Sequence, residues 1–154
     1  MQHTDIREIA GGVIPVGATV TVCGWVRTAR DSKNMAFIEL NDGTTLKHMQ
    51  IVVDKAVLTP PAAATHLGAA LRVVGTVVEA QNGRGVEINA SAIDVLGDCP
   101  ADYPLQKKFQ KLETLREAPH LRVRTNTFNA AFRVRSVMAA AIHRFFQERG
   151  YVYV

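Results

Sequence analysis

Four side chains with complementary chemistry are predicted to lie on one face of a small β-structure. Apolar residues alternate along the predicted strands, so Arg27, Phe37, Gln50 and Glu87 face away from the apolar side. Phe37 offers a flat ring on which a nucleobase can stack, and Gln50 and Glu87 offer hydrogen-bonding groups for a base edge. Arg27 supplies a cation for a phosphate group. Binding of a single-stranded nucleic acid requires this combination of groups.

Two further cations fall in a loop beside this face. Arg30 and Lys33 lie in the polar segment 30–34, which separates the first two predicted strands. Taken singly, each of the six residues also fits a plain structural role, because a neighbouring domain can cover an outward ring and water can solvate polar side chains. Their convergence on one face is what favours a nucleic-acid-binding surface.

Five short strands must position these residues. The apolar alternation predicts strands over Thr19–Thr28, Met35–Leu40, Leu46–Val53, Ala70–Glu79 and Val86–Val95. Two prolines followed by three alanines predict a loop and a short helix within residues 56–67. This order fits a mostly β fold, a five-stranded OB-fold barrel with Greek-key connections. A small SH3-like barrel is the alternative, although the segment between the third and fourth strands is long for it.

A break in regular structure is predicted between the barrel and the rest of the chain. Gly97, Pro100 and Pro104 lie close together and disfavour both helix and strand. The barrel domain is therefore expected to span residues 1–98, followed by a hinge over residues 99–125 with one or two helical turns.

One long amphipathic helix is predicted over residues 126–149. Its apolar residues recur at spacings of three and four, which leaves a wide stripe that must pack against a large partner. Residues 151–154 alternate like the beginning of a strand. We therefore expect residues 126–154 to begin a second domain of a longer protein, and the isolated helix either to self-associate or to be disordered. The stripe consists of Phe132, Val137, Met138, Ala141, Ile142, Phe145 and Phe146.

The composition excludes several classes of protein. Apolar residues make up 47% and charged residues 21% of the 154 residues, so the chain can build a packed core. No apolar run approaches the ~18–20 residues that a membrane span needs, and the first residues lack the pattern of a secretory signal. Two cysteines cannot build a disulfide framework, and no spacing of residues predicts a metal site or a catalytic group. We expect a cytoplasmic protein that has no membrane partner.

Charge is unevenly distributed along the chain. Residues 1–98 carry eight Lys and Arg against ten Asp and Glu, a net charge of −2. Residues 99–154 carry ten against four, a net charge of +6. A basic segment favours polyanionic partners such as nucleic acids, although it also occurs on ordinary solvated surfaces.

Several strings of the sequence resemble one known family, the class IIb aminoacyl-tRNA synthetases. Gly24–Thr28, Arg30–Lys33 and Ala36–Gly43 are similar to the anticodon-binding domain of these enzymes, and the last two resemble the asparaginyl members of the subclass. The second half of the chain resembles the hinge and the long motif 1 helix of the same enzymes. The strings that carry this second resemblance are Tyr103–Lys108, Leu115–Glu117, His120–Arg122, Arg124–Phe128, Phe132–Ser136 and Phe145–Gly150.

The resemblance implies roles for the predicted surface residues in binding the anticodon of tRNA(Asn). Phe37 falls on the phenylalanine that stacks on a central uridine, and Gln50 falls on the glutamine that reads the edge of this uridine. Arg27 falls on a basic position at the end of the first strand. Glu87 falls on an acidic position near the first anticodon base.

The resemblance also implies an activity for a longer protein. Asparaginyl members of the family activate asparagine with ATP and Mg²⁺, transfer it to tRNA, and form homodimers through the motif 1 region. The motifs that hold ATP, the amino acid and magnesium are absent from this sequence, so we expect this chain alone to be inactive, with no catalytic residue and no cofactor. Three alternatives stay open: an aspartyl or lysyl enzyme, a general single-stranded nucleic-acid-binding OB protein, and a protein-interaction module that pairs through its apolar helix.

Overall fold

Five strands of the chain close into a β-barrel. The computed structural model describes residues 3–81, 83, 85–108 and 110–154. The chain divides into two compact units, Met1–Phe109 and Gln110–Val154. The barrel lies in the first unit, and its strands are β1 (Thr19–Asp31), β2 (Met35–Asn41), β3 (Met49–Asp54), β4 (Ala70–Glu79) and β5 (Val86–Gly97).

The order of the strands is that of an OB fold. Hydrogen bonds join them in the order β1-β2-β3-β5-β4, and β4 pairs back with β1 to close the barrel. The β3–β5 pairing is parallel and the other pairings are antiparallel. The chain reaches β5 from β3 through a single 3₁₀ turn at Ala62–Thr65, where the sequence predicts a short helix, and then β4. The predicted fold class, a five-stranded OB-fold barrel, is confirmed.

The apolar residues that alternate along the strands fill the barrel interior. Val22, Ile38, Ile51, Val73 and Ile88, one from each strand, have no exposed surface. Full burial of such a side chain stabilises the fold by about 1.5–3 kcal/mol. The period-two pattern therefore identified the inward positions correctly.

A short helix that the sequence does not predict joins the barrel core. Helix α1 (Ile6–Ala10) buries Ile6 and Ile9 in the same apolar cluster as the strands. The Ile6 backbone N–H donates a hydrogen bond to the Asp42 carboxylate at 2.8 Å, which satisfies a donor at the helix N-terminus. A helix with two apolar positions is too short to leave a periodic signal in the sequence.

The turn before β3 is longer than predicted, so β3 begins at Met49, three residues after its predicted start. The side-chain oxygens of Asn41 and Asp42 accept hydrogen bonds from backbone N–H groups of this turn. The Gly43 N–H donates to Asn41 Oδ1 and the Thr44 N–H donates to Asp42 Oδ1, each at 2.9 Å. These local hydrogen bonds compete with strand pairing and delay it.

Gly75 allows β4 and β5 to approach each other closely. A Cβ atom at this position would lie 2.4 Å from the Asn89 carbonyl oxygen and 2.6 Å from Cγ2 of Ile88. The register of β4 against β5 also shifts between Val74 and Gly75. The irregularity bends the strand, which a sheet of only five strands needs in order to close.

The segment that follows β5 packs within the barrel unit. Tyr103 and Leu105, which the sequence assigns to a hinge, are 9% and 6% exposed. The Tyr103 ring lies against Gly68, where a Cβ atom would come within 2.9 Å of ring atoms. The first unit therefore extends to Phe109, beyond the predicted boundary at residue 98, because apolar side chains after the Gly- and Pro-rich break still pack on it.

The second unit is helical. It contains α2 (Leu112–Glu117), a 3₁₀ turn at Arg122–Arg124 and α3 (Asn126–Gln147). The long helix ends within two residues of its predicted end, which confirms the 3.6-residue apolar period. The strand predicted over residues 151–154 is absent, because residues 110–154 contain no strand with which it could pair. In the described part of the chain, no helix combines the length and the apolar character needed to cross a bilayer.

Candidate nucleic-acid interface

The outer face of β1, β2 and β3 carries two rows of cross-strand neighbours. Arg30 of β1 lies opposite Phe37 of β2 in the first row. In the second row, Thr28 lies opposite Glu39, which lies opposite Gln50 of β3. The predicted residues Arg30, Phe37 and Gln50 are thereby brought to one place. Six side chains line the pocket at these rows: Thr28, Arg30, Phe37, Glu39, Gln50 and Lys107.

A β-bulge at Arg27 reverses the alternation of β1. Val26 pairs with Leu40 and Thr28 pairs with Glu39, so Arg27 is an extra residue with no opposite residue in β2. If Arg27 were paired regularly, alternation from the buried Val26 through Arg27 would direct Thr28 into the barrel. The extra residue shifts the alternation by one position, and Thr28 faces the pocket.

The same bulge places Arg30 on the pocket face. Strand β1 runs to Asp31, three residues beyond its predicted end, so Arg30 belongs to a strand and its predicted position in a loop is wrong. Strict alternation from Val26 would have directed the guanidinium of Arg30 into the apolar interior. With the bulge, Ala29 packs against the core and Arg30 is exposed beside Phe37.

Phe37 and Arg30 form an aromatic surface with a cation beside it. The guanidinium carbon of Arg30 lies 6.0 Å from the centroid of the Phe37 ring, at the outer limit of a cation–π contact. The ring is partly exposed. A base stacked on such a ring gains about 1–3 kcal/mol, and the adjacent guanidinium can pair with a phosphate of the same strand.

The two carboxylates at this face have different hydrogen-bond partners. The Thr28 hydroxyl donates to Oε2 of Glu39 at 2.9 Å. The Gln50 amide nitrogen donates to Oε2 of Glu87, also at 2.9 Å. A primary amide has two N–H groups and a carbonyl oxygen, so Gln50 has a further donor and an acceptor for a ligand.

Glu87 is buried, although the sequence predicts it on an open surface. Only 4% of the residue is exposed. Strands β3 and β5 run parallel with Ile51 opposite Ile88, so the preceding residues, Gln50 and Glu87, are neighbours on the outside of the barrel. The prediction is right about the side of the strand and wrong about exposure, because the carboxylate of Glu87 is covered and bonded to Gln50.

Arg27 lies outside the pocket and near His48. Asn41 Nδ2 lies 3.2 Å from Nδ1 of His48. Burial and the charge of Arg27 lower the pKa of His48, and Glu39 partly opposes this effect. At neutral pH, His48 is therefore a neutral imidazole near Arg27. Both residues lie beyond the row that contains Gln50.

Two lysines differ in their relation to the pocket. Lys33 is exposed in the turn between β1 and β2 and does not line the pocket. Lys107, from the segment after β5, does line it and was not predicted as a site residue. Only the fold returns this segment to β2 and β3, and the signal available in the sequence was the basic excess of residues 99–154.

The pocket side chains supply an aromatic surface, an amide edge and cations, which are groups that can bind a base and its phosphates. Among the residues that the structure describes, no group of three or more His, Cys, Asp or Glu side chains could hold a metal ion.

The apolar stripe predicted on the long helix is present on α3. None of the α3 residues is buried, and Met138 near the middle of the stripe is 55% exposed. Phe132 is half-buried and stacks with Phe128 at a centroid distance of 6.3 Å. The exposed members of the stripe are Val137, Met138, Ala141, Ile142, Phe145 and Phe146.

Comparisons with known proteins agree with this geometry. The tRNA anti-codon family model, described as an OB-fold nucleic acid binding domain, matches residues 20–96. The chain is 49% identical over 156 residues to the asparagine–tRNA ligase of Porphyromonas gingivalis and 51% identical over 141 residues to that of Solibacter usitatus. These alignments cover 99% and 90% of the chain but 33% and 31% of the ligases, so the chain spans about a third of their length.

Solved structures show the same fold. The asparaginyl-tRNA synthetase from Pyrococcus horikoshii superposes with a TM-score of 0.83 at 22% identity, over 99% of this chain and 37% of that one. The aspartyl-tRNA synthetase from Entamoeba histolytica gives a TM-score of 0.78 at 19% identity, over 100% and 39% of the two chains. At these identities the likeness shows the fold alone. The chain therefore belongs to the tRNA anti-codon family of OB-fold nucleic acid binding domains, which confirms the resemblance to aminoacyl-tRNA synthetases found in its sequence.

Proposed function

We propose that this chain is the anticodon-binding part of an asparagine–tRNA ligase, and that its pocket binds the central uridine of the anticodon of tRNA(Asn). The observation that carries the proposal is the pocket at which Arg30, Phe37 and Gln50 meet. The pocket lies on strands β1 to β3, and the face of strands 2 and 3 is where OB folds bind oligonucleotides. The identity of about half to asparagine–tRNA ligases supports this choice of tRNA.

Phe37 and Gln50 divide the recognition of the base between them. Stacking on Phe37 favours any base, because every base has a flat π-face. Discrimination requires hydrogen bonds to the base edge, and the Gln50 amide offers a donor and an acceptor side by side. The uridine edge carries an N–H donor next to a carbonyl acceptor, which is the complement of that amide.

The cations around the pocket fit the RNA backbone. Arg30 and Lys107 line the pocket itself, whereas Arg27 and Lys33 lie outside it. Each phosphate that these side chains neutralise releases counterions, so binding should weaken with salt by a log–log slope of about −0.7 per contact on a single strand. We assign the phosphates beside the central uridine to Arg30 and Lys107, and more distant phosphates to Arg27 and Lys33.

The charging reaction belongs to the whole enzyme in this proposal. Activation of asparagine requires ATP and Mg²⁺, and this chain contributes no residue to that chemistry. We propose that it recognises the tRNA, that the isolated chain charges no tRNA, and that α3 contributes to a homodimer of the ligase.

The test is binding of the 154-residue chain to two anticodon stem-loops that differ only in the central base, uridine or cytidine, at fixed salt. The wild-type chain should bind the uridine RNA more tightly by about 1–3 kcal/mol, the discrimination typical of a two-hydrogen-bond contact to a base. Gln50→Ala should remove this preference and leave the affinity for the cytidine RNA nearly unchanged.

Two results would contradict the proposal. Equal binding of both stem-loops by the wild-type chain would leave a general single-stranded nucleic-acid surface. If Gln50→Ala weakened binding of both RNAs to the same extent, the amide would not be reading the base.

A further inference from the structure

We propose that Glu87 is a positioning residue that fixes the orientation of the Gln50 amide and thereby sets the preference for uridine over cytidine. The inference rests on the proposed function, because it concerns how the pocket reads its base. Glu87 is buried behind Gln50. Its effect on recognition passes through the hydrogen bond between the two side chains.

The hydrogen bond between Gln50 and Glu87 follows from the pairing of β3 with β5 in the barrel. Gln50 and Glu87 are 37 residues apart in sequence and become neighbours through the parallel pairing of Ile51 with Ile88. Among the described residues, Glu87 is the one charged side chain that is buried. A buried carboxylate is costly unless donors satisfy it, and the Gln50 N–H at 2.9 Å is such a donor.

A carboxylate partner determines which end of a glutamine amide faces it. The two ends of a glutamine amide have nearly the same shape, so a glutamine can present either its oxygen or its nitrogen to a neighbour. An ionised carboxylate only accepts hydrogen bonds, so Gln50 must direct its nitrogen toward Glu87. One N–H is used in this bond, and the carbonyl oxygen and the other N–H keep fixed positions relative to the barrel.

Fixed positions of these two groups distinguish the two pyrimidines. Uracil presents an N–H donor at N3 beside a carbonyl acceptor at C4. Cytosine presents an acceptor at N3 beside an amino donor at C4, which is the reverse pattern. A cytosine stacked on the Phe37 ring can form both hydrogen bonds with the Gln50 amide only if the oxygen and nitrogen of that amide exchange places. The exchange would place the Gln50 oxygen against the Glu87 carboxylate, where two acceptors repel each other.

The test is the isosteric variant Glu87→Gln. The new amide can accept a hydrogen bond from Gln50 or donate one to it, so both orientations of Gln50 become allowed and neither leaves a buried group unpaired. The wild-type chain should prefer the uridine stem-loop over the cytidine stem-loop by about tenfold or more. In Glu87→Gln the ratio should fall to within about threefold of one, mainly because cytidine binding improves.

Glu39→Gln is the matched control. It makes the same isosteric and charge-neutral change on the same face, but the partner of Glu39 is the Thr28 hydroxyl, at 2.9 Å. Loss of this negative charge should shift binding of both RNAs alike and keep their ratio. A second readout needs no RNA: the side-chain amide resonances of Gln50 should show one protected N–H in the wild-type chain and a clearly shifted signal in Glu87→Gln, with the barrel resonances retained.

The outcomes separate the inference from the proposed function. A wild-type chain without a preference for uridine overturns both. A wild-type preference that Glu87→Gln retains overturns the inference alone, and so does an equal loss of preference in Glu39→Gln. A preference that is lost in Glu87→Gln, retained in Glu39→Gln and accompanied by the Gln50 shift establishes Glu87 as the residue that orients the amide.

Discussion

At the scale of single residues, the pocket contains groups that can touch a base and groups that orient them. The ring of Phe37 is partly exposed beside the guanidinium of Arg30, at 6.0 Å from its centroid. Gln50 is also partly exposed, whereas Glu87 behind it is buried. The exposed parts of Phe37 and Gln50 can therefore contact an RNA directly, whereas we propose that Glu87 acts through Gln50.

Replacing Phe37 with alanine should weaken RNA binding by about 1–3 kcal/mol through the loss of base stacking. The loss should be similar for the uridine and cytidine stem-loops, because stacking does not read the base edge. Titration of fluorescent stem-loops would measure it. Met35→Ala is the control: Met35 has the same partly exposed position on β2, two residues away, but does not line the pocket. Equal losses in the two variants would contradict a stacking role for Phe37.

At the scale of elements, β1 combines core packing with the site by means of one irregularity. Before the bulge at Arg27, the alternation directs Val22 and Val26 into the barrel. After it, the alternation is shifted, so Ala29 packs inward and Arg30 faces the pocket. Because of the bulge at Arg27, β1 can direct Ala29 into the apolar interior and Arg30 onto the charged surface.

Deletion of Arg27 should remove the bulge and keep Arg30 on the pocket face. Without Arg27, Val26 faces inward and is followed in regular alternation by Thr28 outward, Ala29 inward and Arg30 outward, so β1 keeps its register against β2. The deletion variant should therefore bind RNA about as well as Arg27→Ala, which also lacks this cation, and chemical denaturation of the two chains would measure what the bulge itself contributes to stability. A folded deletion variant that loses the RNA binding retained by Arg27→Ala would contradict this prediction, because the bulge itself would then position the pocket residues.

At the scale of the whole chain, the two units differ in how their apolar residues are used. The barrel unit buries its apolar positions in one cluster. In the helical unit, α3 is formed but buries none of its residues, and Val137, Met138 and Phe145 are 69%, 55% and 50% exposed. A contiguous apolar surface on a folded element is typical of a site that binds another protein surface.

We expect this chain to self-associate through α3 in a concentration-dependent manner. Met138→Asp, in the middle of the apolar stripe, should shift the equilibrium toward the monomer, because a carboxylate resists transfer out of water. Sedimentation velocity over a range of concentrations would measure the shift. Ser136→Asp introduces the same side chain on the opposite face of α3 and should leave the association unchanged. A wild-type chain that stays monomeric at all concentrations would contradict the prediction.

Local patterns in the sequence were sufficient for the strands, the inward positions and the long helix. The alternation in β2 separates Ile38 from Phe37 correctly, and the helical period locates α3 to within two residues. These features follow from the geometry of the backbone itself, in which side chains repeat every two residues in a strand and every 3.6 in a helix. Phe37 and Gln50 could therefore be assigned to the outer face before the fold was known.

The tertiary structure alone decided how the pocket is completed. The direction of Arg30 depends on a register shift between β1 and β2, which periodicity within β1 does not reveal. The burial of Glu87 and its bond to Gln50 depend on the pairing of β3 with β5 across 37 residues of sequence, and Lys107 enters the pocket only because the segment after β5 folds back. The sequence determines which face of each strand is polar, because that is a local property. Which polar groups meet is decided by strand pairing and register, which are properties of the closed barrel.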